Sequence, residues 1–249
     1  MKSENLEHLI RRTANRFGFD IHRYRPADSV EGRLSMMLEH HDVDVLLDVG
    51  ANVGQFAKAI RQAGFGGRIV SFEPLQDAHS RLLRESDDDD DWQIAPRVAI
   101  GAHKGDVEIN VAGNSFSSSI LSMLPEHEKA APDSSPVGVE HTPLAPLDIA
   151  ARSYLREGDV SFIKIDTQGY EDRVLEGATD ILARAVGLHV ELSFVPLYEG
   201  QPLFDEIVEQ VRGAGFCMWN IWPGIFDPES GKMLQADATF FRDSTIGSA

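Results

Sequence analysis

The chain has 249 residues, a formal net charge of −17 and a single cysteine. That length suffices for one large domain burying roughly 70–75% of its unfolded surface without disulfide support. The acidity argues against nucleic acid as a partner, because binding a phosphate backbone relies on Lys and Arg. Cys217 cannot form an internal bridge and suits a reducing, cytoplasmic setting. The start, MKSENLEHLIRR, shows no apolar signal core and reads as mature protein. No run reaches the roughly 18 apolar residues that a transmembrane helix needs.

Residues 3–17 place Leu6, Leu9, Ile10, Ala14 and Phe17 on one helical stripe, with Arg11, Arg12 and Arg16 on its polar side, and Gly18 ends it. Val30–His40 reads as a second helix. Residues 1–42 are therefore expected to form a helical cap over the front of a core domain at 43–243; a dimerisation arm, and with it a homodimer, is the open alternative. Residues 244–249 read as a tail.

The core domain is organised around VLLDVGANVGQF at 45–56, a buried strand, a glycine-bearing turn and a helix start. Gly50 and Gly54 permit a sharp turn and close approach to a ligand, and the helix that follows offers its first amides. The spacing G-x-x-x-G puts Ala51 and Asn52 where a dinucleotide fingerprint needs glycine. Asp48 at the strand end would repel a pyrophosphate. It suits a cationic ligand such as S-adenosylmethionine, which carries a sulfonium and an ammonium. RIVSF at 68–72 is the next strand, and it ends in Glu73-Pro74, where an acidic side chain can grip a ribose diol.

Five aspartates at 87–91 read as a solvated loop rather than a cation site, since calcium ligands are spaced and interleaved with turn residues. Residues 92–100 read as a third strand whose end, Ala99-Ile100-Gly101, would frame an adenine. Val107, Ile109 and Val111 alternate with polar residues, as in a half-exposed strand. NSFSSS at 114–119 is either a ligand contact or a polar turn. The stretch around 122–146, with five prolines between 125 and 146, reads as irregular: a lid, an acceptor loop or a disordered segment. VSFIKID at 160–166 and residues 187–194 are two further buried strands. A helix at 202–212 and a closing β pair at 216–222 and 236–242 complete the alternation, which predicts a mostly parallel α/β sheet.

Ligands in open α/β sheets bind beyond the carboxyl ends of the strands. Asp48, Glu73, Asp166 and Glu191 all fall there. Period two puts Lys164 with Asp166, and His189 with Glu191, on common faces. If those strands are neighbours, the four side chains converge. Asp166, His189 and Glu191 are then candidates to accept a proton from an attacking hydroxyl; alternatively, Asp166 and Glu191 hold a divalent cation that acidifies it.

LDVGANVGQF at 47–56, FEP at 72–74, FIKIDTQGYEDRVLEGA at 162–178 and HVELSFVPLYEGQ at 189–201 together resemble the FkbM family of S-adenosylmethionine-dependent methyltransferases. The resemblance spans about residues 40–242. It implies a Rossmann-like class I methyltransferase fold, a seven-stranded sheet with its last strand antiparallel. It also implies methylation of a hydroxyl on a sugar, glycolipid, polysaccharide or polyketide acceptor. By that likeness Asp48, Gly50, Ala51, Asn52 and Gly54 surround the methionine portion of the cofactor, Glu73 holds the ribose, and Asp166 faces cofactor and acceptor. Gln168 departs from the pattern, since many relatives carry Glu there. Two other functions stay open at this stage: an NAD-dependent oxidoreductase or epimerase, which would need the missing glycine, and a non-catalytic cofactor-binding module. A nucleic-acid methyltransferase is disfavoured by charge and by the lack of a base-flipping motif near Asp166.

Overall fold

In the computed structural model, which describes residues 2–19, 21 and 28–242, helices α1 (Lys2–Asn15) and α2 (Val30–His40) precede strand β1 (Val45–Val49). There follow α3 (Gln55–Gln62), β2 (Arg68–Phe72), α4 (Gln76–Glu85), β3 (Trp92–Ile94), β4 (Ala99–Ile100) and β5 (Gly105–Ala112). Next come α5 (Pro125–Ala130), β6 (Pro136–Ala145), α6 (Leu147–Ala150), β7 (Ser161–Ile165), α7 (Glu171–Glu176) and α8 (Thr179–Leu182). The chain closes with β8 (Gly187–Ser193), α9 (Phe204–Gly213), β9 (Phe216–Pro223) and β10 (Gln235–Arg242). The tail read at 244–249 lies outside the described residues.

Seven strands form one sheet in the order β3-β2-β1-β7-β8-β10-β9. All neighbours pair in parallel except β10, which runs antiparallel to both β8 and β9. This is the mostly parallel α/β sheet expected from the sequence. The order reverses beside β1, which opens a crevice past the carboxyl ends of the strands. Alternate residues feed two cores. Val45, Leu47, Val49, Ile163, Ile165, Leu188 and Val190 pack under the layer that includes α7, α8 and α9. Leu46, Ile69 and Phe162 pack under α2 and α3 through Leu34, Leu38, Ala57 and Ile60.

Three expectations are corrected. Residues 92–100 are not one strand: Trp92–Ile94 pairs with β2, whereas Ala99–Ile100 joins a second, three-stranded sheet ordered β4-β6-β5. Pro96 between them has no N–H to continue the ladder. The proline-rich stretch is structured, because its prolines sit where they are tolerated. Pro125 starts α5, Pro136 starts β6 and Pro146 precedes α6; at Pro143, β6 pairs only with β5. Finally, α2 does not cover the front of the domain. Its last residue, His40, and the adjacent His41 gather with Trp219 and Phe241. Phe241 is paired with Gly187 at the amino end of β8, so α2 closes the far end of the sheet. Residues 8–15 of α1 are mostly exposed.

Candidate active site

Two rows of polar side chains cross the sheet on the face covered by α3. The lower row follows the strand register: Ser71, Asp48, Lys164, His189 and Thr239 are successive cross-strand neighbours. Asp48 is fully buried, its Oδ2 accepting from Ser71 Oγ at 3.1 Å, and Trp92 Nε1 donates to Ser71 Oγ at 2.9 Å. Lys164 Nζ lies 3.3 Å from Asp48 Oδ1 and 3.5 Å from Asp166 Oδ2, and it donates to the Gly50 carbonyl at 2.9 Å. Burial opposes its charge, but Asp166 and Asp48 outweigh that and hold the lysine above its usual pKa. His189 Nδ1 shares a 2.8 Å hydrogen bond with Thr239 Oγ1, and its ring stacks on Phe56 of α3. Burial, with the Lys164 charge, pulls His189 down to about 4 and keeps it neutral.

The upper row lies two residues nearer the crevice and is entirely acidic: Asp166 just past β7, Glu191 on β8, and Asp237 opposite Glu191 on β10. Gln168 sits between two of these acids, with Nε2 donating to Asp166 Oδ1 and to Glu191 Oε2, each at 2.9 Å. Tyr198 fixes that amide from behind, its hydroxyl 2.8 Å from Gln168 Oε1 and 3.0 Å from the Ser117 carbonyl. An N–H donor pointing at both carboxylates stands where a shared cation would have to be. Among the described residues no group of three or more His, Cys, Asp or Glu side chains is arranged to hold a metal ion. The cation alternative for Asp166 and Glu191 is not supported.

The turn after β1 is held from both sides. Gly50 has φ +76°, and a Cβ there would lie 1.8 Å from the Asp166 carbonyl oxygen, so only glycine lets the ends of β1 and β7 close up. Glu73 is buried and accepts from the Asn52 and Leu75 amides at 2.8 Å each. Burial pushes its carboxyl up to about 7, although the two amides favour the charged form.

These elements surround a cavity of about 240 Å³ that runs from Glu73, Pro74 and Ala99 to Asp166, Gln168 and Glu191. The span from β2 to β8 crosses three strand spacings, or about 14 Å. Of the residues expected at the site, Gly50, Asn52, Glu73, Pro74, Ala99, Asp166 and Glu191 line it. Asp48, Ala51, Gly54 and His189 do not. Asp48 spends its charge on Lys164, so it is not the carboxylate that meets a cationic ligand. Ala51 packs into the core, and Gly54 makes room for Trp92, whose ring would meet a Cβ at 2.6 Å. The stretch 122–146 supplies no lining residue; the loop 115–120 just before it does. Within that loop Ser119 Oγ donates to the Gln168 carbonyl at 2.7 Å. Sequence reasoning passed over Gln168 as a site residue and Asp237 altogether. The alternation of Asp237 and Thr239 on β10 was the available signal for the second.

The chain matches the Methyltransferase FkbM domain model over residues 48–218. It belongs to the FkbM methyltransferase family. Hexuronic acid methyltransferase AglP of Haloferax volcanii is 25% identical over 177 residues, covering 70% of this chain and 66% of that protein. Among solved structures, an rRNA methylase from Streptococcus thermophilus aligns with 14% identity and a TM-score of 0.45 over 89% of this chain and 99% of its own. Mitomycin 7-O-methyltransferase MmcR aligns with 12% identity and a TM-score of 0.45 over 86% and 53%. The matched segment is a methyltransferase domain, and the chain spans just under two thirds of the Haloferax relative and about half of the mitomycin enzyme. S-adenosylmethionine, as methyl donor, would suit the lining of the cavity. Its apolar wall at Val98, Ala99, Ile100 and Ile109 suits a purine, and its acidic end suits a sulfonium. No helix among the described residues is long and apolar enough to cross a membrane.

Proposed function

We propose that this chain transfers the methyl group of S-adenosylmethionine to a hydroxyl of a sugar, glycolipid, polysaccharide or polyketide-type acceptor. The observation that carries the reading is the single cavity joining Glu73 to the Asp166–Glu191 pair. When bound, the cofactor supplies an electrophilic methyl on a positively charged sulfur. Glu73 would hold its ribose, the Gly50–Asn52 turn its methionine portion, and Ala99 the edge of its adenine. Asp166 and Glu191 face the reacting end and can orient a hydroxyl and accept its proton. Much of the rate then comes from alignment and exclusion of water rather than from covalent chemistry. The hexuronic acid methyltransferase relative supports a sugar-type acceptor.

Calorimetric titration with S-adenosylhomocysteine, with NAD in parallel, tests the cofactor assignment. Binding of the first and not the second is expected, and Glu73→Ala should weaken it by about tenfold or more, having lost a charge-assisted hydrogen bond to the ribose. NAD binding in place of S-adenosylhomocysteine would overturn the reading. Transfer of labelled methyl to hydroxylated glycosides, compared with their amino and carboxylate analogues, tests the acceptor atom. Label found only on nitrogen or carboxylate would rule out the hydroxyl.

A further inference from the structure

Glu191 differs from every other acid near the cavity in how it is surrounded. It is faced by Asp166 from the end of β7, by Glu171 from α7 and by Asp237 directly across on β10. Lys164, the cation one row below, is already engaged by Asp48, Asp166 and the Gly50 carbonyl. His189, two residues back on the same strand, is neutral, and Tyr198 reaches Glu191 only through Gln168. Gln168 holds one Glu191 oxygen; the other takes no hydrogen bond among the described residues.

Resting on the methyl-transfer reading above, we infer that Glu191 accepts the proton of the acceptor hydroxyl, and that arrival of the cofactor's sulfonium first drives a proton off this same carboxyl. Like charges packed together with little water cannot all ionise, so an acid row whose nearby ammonium, Lys164, is shared with Asp48 retains a proton. Burial, then Asp166, Glu171 and Asp237, push Glu191 well above the usual carboxylate range, in agreement. A sulfonium brings one positive charge to the row and favours the ionised form. The carboxylate is then ready when the acceptor binds. In the transfer, the acceptor's O–H bond breaks and its proton goes to Glu191. The O–CH₃ bond forms, and the electron pair of the S–CH₃ bond stays on sulfur. Positive charge vanishes at sulfur as a proton arrives on Glu191, so the net charge of the site is constant through the step. His189 does not line the cavity, and both oxygens of Asp166 are already engaged, Oδ2 by the Lys164 ammonium at 3.5 Å and Oδ1 by the Gln168 amide at 2.9 Å.

S-adenosylmethionine and S-adenosylhomocysteine differ by one methyl and one charge, which isolates the effect without an acceptor. Calorimetry of both ligands in buffers of differing ionisation enthalpy counts the protons released. The expected result is about one more proton released by S-adenosylmethionine. Below the midpoint the ratio of the two affinities should rise about tenfold per pH unit. In Glu191→Gln both effects should vanish while S-adenosylhomocysteine still binds. Equal proton counts in the wild type, or a difference that persists in Glu191→Gln, would overturn the inference. Should that variant fail to fold, Asp237→Asn decides, since removing a neighbouring acid must move the wild-type midpoint to lower pH; an unmoved midpoint would also overturn it. Binding of neither ligand would instead bring down the methyltransferase reading itself.

Discussion

The two polar rows beneath α3 lie only two residues apart along each strand, yet they serve opposite ends. In the lower row, opposite charges and hydrogen-bonding partners alternate: serine, aspartate, lysine, then a histidine–threonine pair. In the upper row three acids stand side by side, with one glutamine amide bridging two of them. A buried charge is tolerable when its partner is buried with it, and costly when its neighbours share its sign. The lower row therefore holds β1 and β7 together. The upper row keeps an unmet demand for positive charge at the mouth of the crevice, and a cationic ligand can meet it.

Breaking the lower row should cost most. Lys164→Ala leaves Asp48 buried without its counter-charge and is expected to destabilise the fold by about 3–5 kcal/mol in denaturant titration. A loss below about 1 kcal/mol would mean that this row is not structural. Gly50→Ala comes next, since its Cβ would collide with the Asp166 carbonyl and its φ is +76°. A cost of about 3 kcal/mol or more is expected, with loss of S-adenosylhomocysteine binding as the ends of β1 and β7 part. Full binding by a stable Gly50→Ala protein would contradict the close packing of the two strand ends.

The upper row should respond in the other direction. Burial, with Asp166 nearby, pushes Asp237 up to about 7. The folded state thus holds a proton that the unfolded chain releases near pH 4. The contribution of this residue to stability is fully present below that pH and falls as pH rises through about 7. Asp237→Asn should accordingly gain about 1 kcal/mol over the wild type at about pH 8, allowing for solvent screening of a side chain 40% exposed. At about pH 4 the two should melt alike. Equal stabilities at both pH values would show that the acid row is not under repulsion.

Much of this was legible in the residues themselves. The buried strands at 45–49 and 161–165 announced themselves by mostly apolar runs, each carrying one charged residue, Asp48 or Lys164, and the acids at 73, 166 and 191 by standing at or near the ends of such runs. What could not be read was which acids already had partners. Asp48 and Asp166 look alike in sequence, each closing a β strand, but only Asp48 is sealed in the lower row. The prolines of 125–146 suggested irregular chain, because their tolerance depends on whether a neighbouring strand needs their N–H.

The sequence by itself determined the alternation of strands and helices, the glycine-bearing turn and the set of acids at the strand ends, because these depend on local periodicity and backbone freedom. Only the tertiary structure decided that β7 lies between β1 and β8 and that β10 inserts beside β8. That order puts Lys164 against Asp48 and sets Asp237 opposite Glu191. Charge pairing is a property of distance in space, and strand order alone assigns those distances.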